Sequence, residues 1–347
     1  MNFLIVRLSS LGDIIHTLPS FAALKKNFPG AKITWIVEEK GKEILVLVPG
    51  IDRIFVHGTK NKKKTFKLFR KLVSDLRYSL KGKDYTVLDF QGLIKSGFIT
   101  WISGAKKRFG FDRQNCRESQ ASFFYTDKAE TMPETIHVIQ KNLNLLRLLG
   151  IKEEKFVFPV SIPEPISASV LKGLKSLGFS EKKKLVVLNV GAAWETKRWF
   201  EDRWVKLIKI IQNPDLFPIL LWGTENEKVL AENISDKTEI PLVPTISIQE
   251  VIALIGISSL VITGDTFALQ AACALNRPVV ALFGPTNPKR NGPFNPLDKV
   301  AFHQSECSFC YKKKCSSLEC MQKINPEEVA ELAVEVLKTD ERIQIYQ

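Results

Sequence analysis

The stretch LIVRLSSLGDIIHTLP, residues 4–19, decides how the chain is read. An apolar run stops at Arg7, and Ser9, Ser10, Leu11 and Gly12 follow. Asp13 then stands directly before Ile14, Ile15 and Leu18, which recur at helical spacing. A short apolar run that gives way to small residues reads as a buried strand, and the periodic segment after it reads as a helix. In an open α/β sheet, ligands sit outside the carboxyl ends of the strands, so this handover lies where chemistry is done. Asp13 has two readings at this position. Aspartate is a favoured helix cap, and its charge suits a helix N-terminus. It is also placed to act as a general base, since a base must reach the hydroxyl it deprotonates. Ser10 and Gly12, small residues beside it, leave room for a substrate. No GxGxxG follows the strand, so a dinucleotide-binding unit is unsupported.

Working outward, the same alternation recurs. ITWIV, RIFV and TVLDF read as strands, and residues 13–27 and 65–80 as helices. The pattern restarts at LVVLNV (185–190) and continues through FPILLW (217–222), LVITG (260–264) and PVVALFG (278–284), with helices from about 200, near 225–233 and over 267–275. Strands alternating with helices predict parallel sheets with right-handed crossovers. The restart predicts two Rossmann-like domains facing a central cleft, 1–160 and 168–324, joined through the proline-rich VFPVSIPEPIS (157–167). A last helix starts at Asn325-Pro326, with Glu328 completing a capping-box pattern.

The chain has 347 residues and a formal charge of +13. Such a charge suits an anionic partner: nucleic acid, an anionic lipid surface or a phosphorylated substrate. Residues 3–6 are too short for a signal-peptide core. The most apolar window, 251–264, falls short of the ~20 residues of a membrane span. The expectation is a cytoplasmic protein that touches a membrane surface. Four of six cysteines crowd together as C-x2-C-x4-C-x4-C: Cys307, Cys310, Cys315 and Cys320. That spacing suits a structural four-thiolate site for zinc or iron, with free thiols or disulfides as alternatives. Cys116 and Cys273 read as ordinary buried thiols.

Three loops of the second half carry candidate chemistry. In NVGAAWETKRW (189–199), Gly191, Ala192 and Ala193 leave backbone N–H groups open to an anion, and Lys197 adds a point charge or is simply solvated. Asp265 and Thr266 stand at a helix start, as caps or as a phosphate site. Glu227 follows another strand, where a carboxylate can accept from ribose hydroxyls. In the first half, residues 60–71 hold seven basic residues and no acid, with Phe66 and Phe69 interleaved. That run is either a solvated helix face or a surface for anionic lipid or phosphosugar. Lys106, Lys107, Arg108, Arg113 and Arg117 add to it.

Together these pieces resemble the ADP-heptose:lipopolysaccharide heptosyltransferases, glycosyltransferase family 9, and most closely the heptosyltransferase I type. The resemblance rests on LIVRLSSLGDIIHTLPS, WIVEE (35–39), DYTVLDFQGLIKSG (84–97), RESQASFFY (117–125), KRW (197–199), LWG (221–223), GDT (264–266) and FGPT (283–286). It implies a GT-B fold, with the segment 325–347 packing back on the N-terminal domain. It implies metal-independent, inverting transfer of L-glycero-D-manno-heptose from ADP-heptose to Kdo of the lipopolysaccharide inner core, at the cytoplasmic face of the inner membrane. Asp13 matches the catalytic carboxylate and Lys197 the lysine that neutralises the departing phosphate. Ala192, Ala193, Asp265 and Thr266 match the donor phosphate sites, Glu227 the ribose contact, and Gln270 stands where the family carries a donor-contacting histidine. Ser10 and Gly12 belong to the acceptor side. Lys60, Lys63, Lys64 and Arg117 fall where basic residues hold the carboxylates and phosphates of a Kdo–lipid A acceptor. The chain departs from the family at Phe267, which replaces a glycine, and at Gln270, which cannot carry charge. A family relative using another nucleotide-sugar donor is the second reading. A nucleic-acid-binding protein with a zinc-knuckle-like cysteine spacing is the third, and it leaves the two α/β units unexplained, so no nucleic acid is expected.

Overall fold

The structure, a computed structural model, describes residues 1–58, 84–346 and, between them, Ser74 and Leu76. Lys60, Lys63, Lys64 and the rest of the basic run lie outside the described residues, as does the helix expected over 65–80 apart from Ser74 and Leu76. The chain divides into two compact units, Met1–Ser161 and Ile162–Gln347.

The first unit is built on β1 (Asn2–Val6), β2 (Lys32–Val37), β3 (Arg53–Val56), β4 (Tyr85–Asp89), β5 (Lys107–Gly110) and β6 (Asp127–Lys128). They form one parallel sheet in the order β3-β2-β1-β4-β5-β6. Central β1 is paired on both sides, with Val6 in register with Ile36 and with Asp89. A strand covered on both faces must be apolar throughout, which is why Leu4, Ile5 and Val6 are all fully buried. The chain runs outward from β1 through β2 to β3, then returns to β4 on the other side. Strand order therefore reverses between β1 and β4, the crevice where open α/β sheets take their ligands. The helix expected over 13–27 is two helices, Leu11–Ile15 and Leu18–Asn27. The break falls at Thr17, which caps the second helix. Pro19, lacking an N–H, sits in that helix's first turn, where no donor is needed.

In the second unit β7 (Lys184–Asn189), β8 (Leu216–Leu221), β9 (Leu260–Gly264), β10 (Val279–Phe283) and β11 (Lys299–Phe302) form a parallel sheet in the order β11-β10-β9-β7-β8. Its order reverses between β7 and β9. Its core joins Val186, Leu188, Ile262 and Leu282 to Trp199 and Trp204. Each such side chain contributes roughly 1.5–3 kcal/mol by leaving water. Short strands β5, β6 and β11 went unread in the sequence; in β11 only Ala301 is buried and Val300 is exposed, so there is no continuous apolar run to read. Helix Pro326–Thr339 buries Val329, Ala330, Ala333 and Val336 in the core of the second unit. Its apolar stripe at helical spacing covers the sheet it follows in sequence.

Among the described residues no helix is long and apolar enough to cross a membrane.

Candidate functional site

Each unit carries a polar cluster at its own switch point. In the first, Asp13 sits one short loop beyond β1 with 28% of its side chain exposed. Its Oδ2 accepts from the Ser10 N–H at 3.2 Å and the Ser10 hydroxyl at 3.0 Å. Its Oδ1 lies 2.8 Å from Nη2 of buried Arg7 and 3.9 Å from His16 Nδ1. The capping contacts fix the carboxylate while part of it stays open, so capping does not exclude the functional reading. Burial by itself would push this carboxyl up. The Arg7 guanidinium, His16 and the Ser10 N–H outweigh it and hold Asp13 well below the usual carboxylate range. The ionised form is favoured by folding. Its contribution to stability is complete above the unfolded value of about 3.9 and is lost as pH falls below it.

Arg7 was legible only as the end of an apolar run. The structure makes it the hub of this loop: its Nη1 donates to the Phe90 carbonyl while Nη2 holds Asp13. Beside it, the β4 loop is pinned from below. Asp89 is fully buried and accepts from the Gln91 and Gly92 N–H groups at 2.8 and 3.3 Å and from the Tyr125 hydroxyl at 2.8 Å. Burial raises the Asp89 carboxyl above its ordinary value, against those hydrogen bonds. Gln91 Oε1 then accepts from the Leu8 and Ser9 N–H groups at 2.9 and 3.2 Å, tying the β4 loop to the Asp13 loop. Gly92 has φ +65°, and a Cβ there would come within 3.3 Å of the Arg117 nitrogen. Glycine alone lets the 116–117 backbone approach so closely. Of the expected acceptor residues, Ser10 and Gly12 are therefore on the Asp13 loop, and the backbone of exposed Arg117 lies against the neighbouring turn.

In the second unit, Lys197 and Asp265 come together from opposite sides of the reversal. Lys197 Nζ lies 2.6 Å from Asp265 Oδ2 and 3.2 Å from its carbonyl, and 4.4 Å above the Trp194 ring. Only 14% of the Lys197 side chain is exposed. The Thr286 hydroxyl also donates to Asp265 Oδ2, at 2.8 Å. Asn189, at the end of β7, donates to the Gly191 carbonyl and to the Thr263 and Thr266 hydroxyls, binding the two loops at 2.9–3.1 Å. The first turn of helix Phe267–Ala274 opens next to this cluster, and its leading N–H groups have no partner within the helix. That is a site for anionic oxygen.

Glu227 is buried, accepts from the Gly223 N–H at 3.0 Å and lies 3.8 Å from Arg198 Nη2. A Cβ on Gly191 would meet its carboxyl carbon at 2.6 Å, so glycine is required there. Ala192 is buried with its carbonyl accepting from Arg198 Nε at 2.9 Å, and Ala193 is exposed. Gln270 is only 3% exposed, and its Nε2 donates to the Asn291 carbonyl at 2.8 Å. One of its two amide hydrogens is thereby engaged within the second unit. Arg7, Gln91, Arg198, Trp194 and Thr286 were not singled out in the sequence. Arg198 and Trp194 adjoin Lys197 and Ala193 in the chain, whereas Arg7, Gln91 and Thr286 stood inside quoted motifs with no local signal of their own.

Cys307 and Cys315 are exposed, Cys310 is half-buried and Cys320 is buried, all as free thiols. Among the described residues no group of three or more His, Cys, Asp or Glu side chains is placed to hold a metal ion. The loop is held by other contacts: the Tyr311 N–H donates to the Pro285 carbonyl, and the Thr196 hydroxyl to the Lys312 carbonyl. Cys315 Sγ turns to Ser317, and Cys320 packs against Gly284. Spacing along a chain does not fix where four sulfurs point.

A family model described as glycosyltransferase family 9 (heptosyltransferase) matches residues 73–321. The chain is similar to lipopolysaccharide heptosyltransferase 1 of Pseudomonas aeruginosa, 26% identical over 95% of this chain and 96% of that one. It is 27% identical to the Escherichia coli K12 protein of the same name, over 83% and 89% of the two chains. Among solved structures, E. coli heptosyltransferase WaaC with ADP has a TM-score of 0.76 at 23% identity, covering 97% of this chain and 100% of that one. A family 9 glycosyl transferase from Veillonella parvula reaches 0.82 at 22% identity, covering 97% of each. The fold is that of the GT-B heptosyltransferases. The chain belongs to glycosyltransferase family 9, the heptosyltransferases.

Proposed function

We propose that the protein transfers L-glycero-D-manno-heptose from ADP-heptose to a Kdo residue of lipid A-linked inner core, in one inverting displacement. The acceptor hydroxyl oxygen attacks C1 of the donor heptose as its proton passes to Asp13. The bond from C1 to the ADP oxygen breaks on the opposite side. Charge on the departing diphosphate is met by Lys197 and by the N-terminus of helix Phe267–Ala274, while the 191–193 loop and Glu227 hold the rest of the nucleotide. The observation that carries this reading is Asp13: an ionised, partly open carboxylate at the switch point of its sheet. The similarity to lipopolysaccharide heptosyltransferases, and the ADP named with one structural neighbour, supply the donor and acceptor classes.

A lipid-linked acceptor brings the protein to the cytoplasmic face of the inner membrane. The net charge of +13 and the exposed Lys106, Lys107, Arg113 and Arg117 support attraction to that anionic surface. The experiment is transfer from ADP-L-glycero-β-D-manno-heptose to Kdo2–lipid A by the full chain. Product supports the reading. A folded protein that makes none, but accepts another sugar from a panel of nucleotide sugars, supports the second reading, which the inward-turned Gln270 favours.

Arg7 gives a test through pH. With Asp13 held ionised far below neutrality, wild-type kcat/KM has no acid limb from this group between pH 5 and 9. Arg7→Met removes the guanidinium and lets the Asp13 pKa rise, so an acid limb moves up towards that window. The same change strands the Phe90 carbonyl and costs about 1–3 kcal/mol in urea unfolding at pH 7. A wild-type profile with an acid midpoint near neutrality would assign the base elsewhere.

A further inference from the structure

Gln91 is buried to 5% exposure at the carboxyl end of β4, yet half of its hydrogen-bonding capacity is unused. Its Oε1 is committed to the Leu8 and Ser9 N–H groups. Those two donors fix which way the amide faces, because a reversed amide would set its own two N–H groups against them. The Nε2 group therefore points away from the β1 loop. Among the described residues it donates to nothing, and it is not among the sealed, unsatisfied atoms of the interior, so it keeps some exposure just beyond the carboxyl end of β4. A buried amide with an unspent, open donor is costly to keep unless a ligand takes it up.

The protein maintains this arrangement with further buried groups. Asp89 accepts from the Gln91 and Gly92 N–H groups and from the Tyr125 hydroxyl. A Cβ at Gly110 would meet the Tyr125 ring at 2.2 Å, so the ring lies flat on glycine. One residue past Gln91's backbone partner Ser9, Ser10 donates twice to Asp13 Oδ2. The unspent donor and the Asp13 carboxylate are thus presented from adjacent strands, by loops bonded to each other.

Resting on the transfer reading above, we propose that Gln91 binds the acceptor: its Nε2 donates to an oxygen of the anionic sugar whose hydroxyl Asp13 deprotonates. Gln91 sets acceptor affinity and orientation; the proton moves elsewhere.

The test is Gln91→Glu beside Gln91→Met. Glutamate retains an oxygen for the Leu8 and Ser9 N–H groups but replaces the donor with a second oxygen and a negative charge. Methionine keeps the length and loses both functions. With ADP-heptose saturating and Kdo2–lipid A varied, Gln91→Glu is expected to raise acceptor KM about 10–100-fold, with the rise shrinking at high salt. ADP affinity by calorimetry stays at the wild-type value in both variants. A wild-type acceptor KM in Gln91→Glu overturns the assignment. So does loss of kcat alone in Gln91→Met that Gln91→Glu restores, since that pattern means Gln91 only fastens the loop. A wild type inert with Kdo2–lipid A overturns the transfer reading and the ligand class assigned to Gln91 with it; an active wild type with an unaffected Gln91→Glu overturns Gln91 alone.

Discussion

Asp13→Asn is expected to lower heptosyl transfer by about 10²–10⁴-fold, the range that loss of a positioned base produces. Asparagine has nearly the same volume and can keep one oxygen for the two Ser10 donors, both of which go to Oδ2. It cannot take up a proton, and it leaves the Arg7 guanidinium without its counter-charge. Two effects must therefore be separated. The loss of turnover is read from initial rates at saturating ADP-heptose and Kdo2–lipid A. The loss of stability is read from the thermal midpoint, because Arg7 is buried and an unpaired buried charge is costly. ADP affinity is expected to be unchanged, since Asp13 belongs to the other unit from the residues assigned to the nucleotide. Turnover within about threefold of wild type would remove Asp13 from the chemistry and leave it as a helix cap, whose loss typically costs ~1 kcal/mol and little activity.

Lys197→Met is the second large effect, with kcat expected to fall about 10²–10³-fold, the scale of removing one preorganised charge-stabilising group. Interpretation is complicated by Asp265. Lys197 and Asp265 are an ion pair with little exposure on either side, so deleting the lysine strands a carboxylate that keeps only the Thr286 hydroxyl as a side-chain donor. A collapse in activity could then reflect a collapse in structure. The double variant Lys197→Met/Asp265→Asn resolves this. Removing both charges restores most of the lost stability, because neither is left unpaired. Activity is expected to stay low, because the Lys197 ammonium assigned to the departing diphosphate is gone. ADP affinity falls in the single and the double variant alike. A double variant that regained both stability and turnover would reduce Lys197 to a structural partner of Asp265.

These two residues also show how far the sequence reached. Asp13 was legible because its signals are local: an apolar run, four loop residues and a periodic segment, all within sixteen positions. Most strands and helices were legible for the same reason, since burial on both faces of a parallel strand forces a continuous apolar run. Lys197 could be marked as a candidate from its small-residue loop. Its pairing with Asp265, 68 residues away, could not. Gln91 stood inside a quoted motif without drawing notice. Its importance comes from Leu8 and Ser9, 83 and 82 residues distant, and from strand order that sets β4 beside β1.

The cysteines and Gln270 show where spacing stops being informative. A regular C-x2-C-x4-C-x4-C pattern sets an expectation, but among the described residues no group of three or more His, Cys, Asp or Glu side chains stands ready for a metal ion, and the four are free thiols. For Gln270, only the fold brings the Asn291 carbonyl to its amide.

By itself, the sequence determined the two α/β units, most of their strands and helices in order along the chain, and Asp13 as the residue to question first. Each follows from local periodicity and from what a buried strand or a helix start demands of its own residues. Only the tertiary structure decided the state of Asp13, the partner of Lys197 and the orientation of Gln91. A charge's pKa and an amide's direction are set by neighbours in space, and in a parallel sheet those neighbours arrive from crossovers tens of residues long.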